Sequence, residues 1–371
     1  MITTQAAVLW DYGRDWEIDE LTLDDPKSGE VLVRLAASGL CHSDEHVRIG
    51  DLPMEALPAI GGHEGAGVVE AVGPDVRNVA EGDHVVLSFI PACGRCHWCA
   101  IGRENLCDKG AGAQVGLQSD GTSRHHVRGQ DARLMCMLGT FSTHTVINED
   151  SVVKIDDDIP LDKAALVGCG VTTGVGTALY GAEVAAGDTV AVLGIGGVGA
   201  NAVQGARLAG ATRIIAIDPS PFNREMAGKF GATHTFASTE EALEPIQEMT
   251  RGAMANAALV TVDVTTGKVI GEAVSLVGKG GKVALTSLAP VTDNQVEFPI
   301  FELIAWEKQI RGCLFGHSSP RSDIPKMLSL YRDGKLMLDE LVTRTYTLEQ
   351  INDGYEDMRT HRNIRGVMLY D

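Results

Sequence analysis

The chain has 371 residues, 44% apolar and 22% charged, a globular composition that excludes a disordered polymer and allows two domains with separate cores. Acidic residues number 50 against 31 lysines and arginines, a net charge of −19. Such a surface repels nucleic acid and anionic membranes and points instead to small-molecule chemistry.

The first sixteen residues carry Asp11, Arg14 and Asp15 and lack the apolar centre of a signal peptide. No apolar run approaches the roughly 20 residues of a membrane span. The eight cysteines are therefore expected in a reducing cytoplasm, where clustered thiols mean metal or catalysis rather than disulfides.

Up to about residue 150 the pattern is strand-like, with β-rich runs at Val31–Leu35, Gly67–Val72 and His84–Ser88, the last preceded by a Glu81-Gly82-Asp83 turn. Helical periodicity is scarce there, and a small irregular β-barrel with ligands in its loops is expected. From about residue 171 strands and helices alternate. Strands are expected at Thr189–Leu193, Arg213–Ile217, Leu259–Val264 and Lys282–Ser287. Helices are expected at Asn201–Ala209, Arg224–Phe230 and Val269–Val277. This alternation predicts a doubly wound parallel sheet. Beyond residue 313 the chain is expected to return to the first domain, with a helix at Ile324–Arg332 and a last strand at Gly366–Tyr370.

Three groups of residues carry chemistry. Cys93, Cys96, Cys99 and Cys107 follow the spacing C-x2-C-x2-C-x7-C in a glycine-containing polar loop. Four thiolates converging from one tight loop suit a tetrahedral zinc, and a filled coordination shell makes that zinc structural. A catalytic zinc needs three protein ligands and an open position. Cys41, His63 and Cys169, each flanked by glycines, are candidates, although spacing alone equally allows a lone cysteine or histidine to be a core residue. Gly194-Ile195-Gly196-Gly197-Val198-Gly199 directly follows an apolar strand and opens a helix, with Asp218 19 residues after Gly199 at the next strand's end. The first glycine permits the turn, the second admits a pyrophosphate, and the third lets helix and strand pack closely. Asp218 would accept the adenosine ribose hydroxyls and repel a 2′-phosphate, which favours NAD over NADP. The bland reading is a purely structural glycine turn.

With these pieces in place the chain resembles the zinc-containing alcohol dehydrogenases of the medium-chain dehydrogenase/reductase superfamily, nearly end to end. The likeness rests on Gly39-Leu40-Cys41-His42-Ser43-Asp44, Gly61-Gly62-His63-Glu64-Gly65-Ala66-Gly67, the four-cysteine lobe, Gly168-Cys169-Gly170-Val171-Thr172-Thr173-Gly174, the glycine motif and Asn363-Ile364-Arg365-Gly366. It implies a GroES-like β-barrel catalytic domain (residues 1–170 and 314–371, with a zinc lobe near 93–107) and a Rossmann NAD-binding domain (171–313). It implies Cys41, His63 and Cys169 as catalytic zinc ligands, Glu64 as a carboxylate near the metal, and Asp44 as the acid orienting the ligand histidine. Ser43 and His46 match a proton relay, although Ser43 alone could be a loop hydroxyl and His46 a surface histidine. Arg365 matches a pyrophosphate clamp, and Thr173 and Val198 the residues flanking the nicotinamide. His42 stands where many relatives carry arginine, which implies a weaker phosphate contact and faster cofactor release.

Within the family, Asp120-Gly121-Thr122-Ser123-Arg124, Arg128-Gly129, Asp323-Ile324-Pro325-Lys326 and Gln350-Ile351-Asn352-Asp353-Gly354-Tyr355 resemble most the nitrosoaniline-dependent, nicotinoprotein branch. Carried over, that likeness implies NAD(H) that stays bound and is reoxidised by an external acceptor. The expected activity is reversible oxidation of an alcohol to an aldehyde or ketone, with two zinc ions and NAD(H) per chain. Alternatives are a thiol-adduct formaldehyde dehydrogenase with the same sites, and a non-enzymatic, crystallin-like nucleotide-binding protein. A small-molecule alcohol or aldehyde is the expected partner, with neither nucleic acid nor membrane. A homodimer or homotetramer is expected, with the contact from Val291–Phe298 to Leu314. Pocket walls are expected at Leu52–Leu57 and Arg133–Thr140; Cys136 in the latter is unexplained.

Overall fold

The computed structural model describes residues 2–289 and 295–370. Part of the expected subunit contact, residues 291–294, therefore lies outside the described residues. The chain groups into two compact units: Met1–Cys169 with Ser319–Gly334 and Leu338–Asp371, and Gly170–Ser318 with Lys335–Met337.

In the first unit the strands form two sheets. One has the order Gln130–Asp131, His125–Val127, Glu17–Leu23, Ile2–Leu9, Ala59–Ile60, Arg133–Leu134. The other runs Val152–Lys154, His84–Leu87, Gly65–Val72, Glu30–Gly39, Arg365–Leu369, Val342–Tyr346, with His144–Asn148 also paired to Glu30–Gly39. The long strand Glu30–Gly39 delivers the chain to Cys41, and its pairing with Gly65–Val72 shifts register twice, bending it. An aromatic core supports this end of the unit. Trp16 packs edge-on to Phe141 with centroids 5.5 Å apart, and Tyr355 lies 6.2 Å from Phe141.

Helical periodicity was expected to be scarce in this half, yet the helix His42–Ile49 carries the most chemistry. Its apolar stripe is thin, which hid it from a search for periodicity. Charge placement supports it: Asp44 and Glu45 sit in the first turn and Arg48 in the last, complementing the helix dipole.

The second unit is built on a six-stranded parallel sheet in the order His234–Phe236, Arg213–Ile217, Thr189–Leu193, Ala255–Val260, Val277–Leu285, Gln309–Gly312. Numbered along the chain, that is 3-2-1-4-5-6, the doubly wound order. Strand order reverses between Thr189–Leu193 and Ala255–Val260, the switch point at whose carboxyl end ligands of such sheets bind. Two expected strands match to the residue, Thr189–Leu193 and Arg213–Ile217. The helix expected at Asn201–Ala209 begins earlier and runs Gly197–Leu208, because its glycines are there for close packing despite their poor helix propensity. The strand expected at Leu259–Val264 is Ala255–Val260: the alanine-rich stretch is largely buried in the sheet, and the chain leaves it at Thr261, ahead of the polar Asp263. Among the described residues no single helix is long and apolar enough to cross a membrane.

Candidate metal centres and dinucleotide loop

The Sγ atoms of Cys93, Cys96, Cys99 and Cys107 all lie within 4.8 Å of one another. Cys93 and Cys99 are 3.9 Å apart, as are Cys96 and Cys107. Zinc–sulfur bonds of about 2.3 Å in a regular tetrahedron require sulfurs about 3.8 Å apart, so the cage has the size of a zinc tetrathiolate. Local backbone makes it so. Cys96 caps the turn His97–Ala100, and the N–H groups of Cys96 and Cys99 point at the sulfurs of Cys93 and Cys96, at 3.4 and 3.5 Å. Backbone donors from Cys99 and Asp108 pull the Cys96 thiol down to about 6, toward the thiolate a metal needs.

The second cluster brings together Cys41, His63, Glu64 and Cys169, again within 4.8 Å. Cys41 precedes the helix His42–Ile49, and Cys169 sits at the junction of two helical turns, Ala165–Gly168 and Gly170–Gly176. His63 follows Gly62, whose φ of 88° only glycine adopts without strain, and a Cβ there would collide with Thr140 and Phe141. Asp44 is completely buried, and its Oδ1 accepts from the Gly62 N–H at 2.8 Å and from His63 Nδ1 at 3.2 Å. That fixes the imidazole and leaves Nε2 for the ligand role.

Two soft sulfurs and an imidazole, with the Glu64 carboxylate beside them, are a donor set that suits a catalytic zinc. The two thiols share one proton: its hydrogen bond to Cys41 and its burial push the Cys169 thiol well above its usual range. A hydrogen bond from Cys169, aided by the charge of His63 against the cost of burial, holds the Cys41 thiol well below its usual range. Burial opposes charge on His63, but Asp44 and the two thiols outweigh it and lift the imidazole well above its usual range. Glu64 is completely buried and paired with Arg365 Nη2, and Arg365 also donates to the Leu40 carbonyl at 3.0 Å. Burial raises Glu64 despite that arginine. Arg365, expected to meet a pyrophosphate, is thus held here by Glu64.

On the same helix Ser43 Oγ lies 3.8 Å from Cys41 Sγ, and His42 is the first helical residue. His46 is buried, with Nδ1 3.3 Å from Asp51 Oδ2, a partner the sequence reading missed. Cys136 sits in a left-handed conformation at φ 52°, and burial pushes its thiol up to about 11 while His63 pulls it down. It therefore lies within electrostatic reach of Cys41, Asp44 and His63.

In the second unit Gly194 has φ 85°, and a Cβ on it would meet the Val262 backbone at 2.6 Å. At Gly199 a Cβ would collide with the Gly194 carbonyl. At Gly196 it would meet no protein atom within 4 Å, so packing does not demand that glycine. Open space there, ahead of the helix Gly197–Leu208 that includes Val198, fits a phosphate group. Asp218 is buried at the end of its strand. Its Oδ2 accepts from the Ile195 N–H at 2.7 Å and from Asn223 Nδ2 at 3.1 Å, and its Oδ1 from the Ser220 N–H at 2.8 Å. Asn223, unnoticed in the sequence, thereby orients the carboxylate. Thr173 Oγ1 is buried without a hydrogen-bond partner among the described residues, a polar atom suited to a ligand.

Residues 27–157 match the alcohol dehydrogenase GroES-like domain and residues 197–333 the zinc-binding dehydrogenase domain. The chain is 51% identical to the NDMA-dependent alcohol dehydrogenase of Amycolatopsis methanolica, covering 99% of each chain. It is 50% identical to the putative alcohol dehydrogenase D of Mycobacterium tuberculosis, over 99% of this chain and 100% of that one. Among solved structures, an alcohol dehydrogenase zinc-binding domain protein from Burkholderia ambifaria superimposes with a TM-score of 0.94 at 33% identity, covering 100% of this chain and 99% of the other. The chain belongs to the zinc-containing alcohol dehydrogenases of the medium-chain dehydrogenase/reductase superfamily.

Proposed function

We propose that the chain catalyses reversible oxidation of an alcohol to an aldehyde or ketone by hydride transfer to NAD. The observation that carries this reading is the buried set Cys41, His63 and Cys169, with Asp44 bonded behind His63. When bound, zinc supplies Lewis acidity at the substrate oxygen and NAD supplies the hydride acceptor. The chain's own residues do the rest. Cys41, His63 and Cys169 hold the catalytic ion, and Asp44 keeps the imidazole in one tautomer and orientation. Glu64 places a carboxylate beside the ligands. Ser43 takes the alcohol proton and His46 passes it to solvent. The glycine loop at Gly194, Gly196, Gly197 and Gly199 receives the pyrophosphate, Asp218 the ribose hydroxyls, and Thr173 and Val198 the nicotinamide. His42 and Arg365 add positive charge toward the phosphates. The four-cysteine lobe takes a second, structural zinc. In this reading residues 1–170 and 314–371 are the catalytic domain and 171–313 the NAD-binding one.

The 51% identity to an enzyme named for its nitrosoaniline dependence supports a chain that retains NAD(H) and passes electrons to an external acceptor. Exposed apolar side chains at Ile300, Phe301 and Ile304, 68, 76 and 72% accessible, support a homodimer or homotetramer. Native mass spectrometry of the purified protein tests these points together. Two zinc ions per chain, retained NAD(H) and an oligomer are expected. A zinc-free chain that still oxidises alcohols would overturn the assignment. Activity on formaldehyde only in the presence of a low-molecular-weight thiol would replace it with the thiol-adduct reaction.

A further inference from the structure

We propose that Asp51 is a positioning residue for the proton relay, holding the ring of His46 so that Nε2 receives the proton leaving the alcohol. This rests on the reading of His46 as the relay base.

The turn that ends the helix builds the contact. Gly50 adopts φ 90° and its N–H bonds the Val47 carbonyl at 3.1 Å, while the Leu52 N–H returns to the His46 carbonyl at 3.0 Å. The chain doubles back, and Asp51, five residues on, sets Oδ2 3.3 Å from His46 Nδ1. Burial differs sharply across the pair: the His46 side chain is 9% exposed and the Asp51 side chain 49%. Both acids of the helix are already committed: Asp44 to Gly62 and His63, and Glu45 to Arg48 through two contacts of 2.8 Å and to Arg359 at 3.0 Å. Asp51 pairs with the histidine instead.

A carboxylate at Nδ1 accepts the Nδ1 proton and so makes Nε2 the accepting nitrogen of the neutral ring. An exposed ion pair adds little stability. Tautomer choice requires little, because it is set by which ring nitrogen already has a hydrogen-bond partner. During turnover the alcohol proton passes through Ser43 to Nε2 and the imidazole becomes an imidazolium beside the Asp51 carboxylate. The Nδ1 proton then leaves to water at the half-exposed end of the pair, and the ring returns to its Nδ1–H tautomer, favoured by Asp51, before the next turnover. No electrons move in this step; the hydride pair goes to NAD.

A double-mutant cycle tests this, with benzyl alcohol as the probe and kcat and KM measured for each variant. Asp51→Ala is expected to lower kcat about tenfold with little change in KM, as for loss of a partner that orients a catalytic imidazole. In a His46→Ala background the same substitution should have no further effect. Asp51→Asn, which keeps an acceptor for Nδ1–H, should recover most of the loss. Histidine-labelled ¹⁵N spectra should show an Nδ1-protonated ring that His46→Ala removes and Asp51→Ala shifts. Equal losses in both backgrounds would show a merely structural role and overturn the proposal. If His46→Ala lowers kcat and Asp51→Ala does not, the proposal fails alone. If His46→Ala leaves kcat intact, the relay reading fails with it.

Discussion

Glu64 and Arg365 form an ion pair that is shut away from solvent, with Glu64 completely buried and Arg365 4% exposed. Neither charge can be left alone there. Arg365→Met should destabilise the protein by about 3–5 kcal/mol, because it strands a buried carboxylate. Glu64→Gln combined with Arg365→Met should recover much of that, since contacting residues couple. Urea unfolding midpoints of the two single variants and the double variant measure the coupling.

Cys169→Ala removes a sulfur from the second cluster and leaves the four-cysteine lobe untouched. Turnover is expected to vanish while one zinc per chain remains and the far-ultraviolet spectrum is unchanged. Wild-type activity in that variant would refute the ligand assignment.

Asp218 is the group expected to reject a 2′-phosphate, and Asn223 helps to aim it. Asp218→Ala should shift the ratio of kcat/KM for NAD over NADP toward NADP by at least tenfold. Asn223→Ala should shift it less, in the same direction. An unchanged ratio would mean that another residue reads the ribose.

His42 occupies a position that implies a phosphate contact, where arginine would present a permanent charge and a bidentate donor fork. His42→Arg is expected to tighten NADH binding several-fold, read as a slower NADH dissociation in stopped-flow fluorescence. No tightening would sink the idea.

His125 offers a pH test away from both metal clusters. Burial, with some help from His126 and Arg124, pushes its imidazole down to about 3, and Nε2 accepts the Val146 N–H at 3.3 Å. The unfolded chain protonates near the usual 6.5 and the folded chain does not, so stability falls as pH drops below 6.5. Between pH 7.5 and 5.5 this one residue should remove on the order of 1 kcal/mol. His125→Gln should flatten that part of the profile in urea titrations at the two pH values. A variant as acid-sensitive as the wild type would show that His125 is not the cause.

Much of the fold was legible because its signals are local. The strands Thr189–Leu193 and Arg213–Ile217 are short, continuously apolar and bounded by turns, and the cysteine spacing by itself describes a cage. What stayed hidden depends on contacts between distant residues. Cys41, His63 and Cys169 converge only once a strand, a loop and a helix junction fold together, and spacing carries no trace of that. The helix His42–Ile49 was missed because its apolar stripe is thin. Asp51 and Asn223 belong to the same class. Each is a common polar residue in a turn, and only the path of the backbone gives it a partner.

Three of the four glycines in the loop 194–199 are there for different reasons. Gly194 and Gly199 are fixed by the protein's own backbone, which leaves no room for a side chain at either place. Gly196 faces open space, so under the proposed function only the nucleotide requires it. Drift at that one position could therefore erase cofactor affinity while the sheet, the helix and both thiol clusters folded as before. A descendant altered there would look like a dehydrogenase in every element of its architecture and bind no dinucleotide.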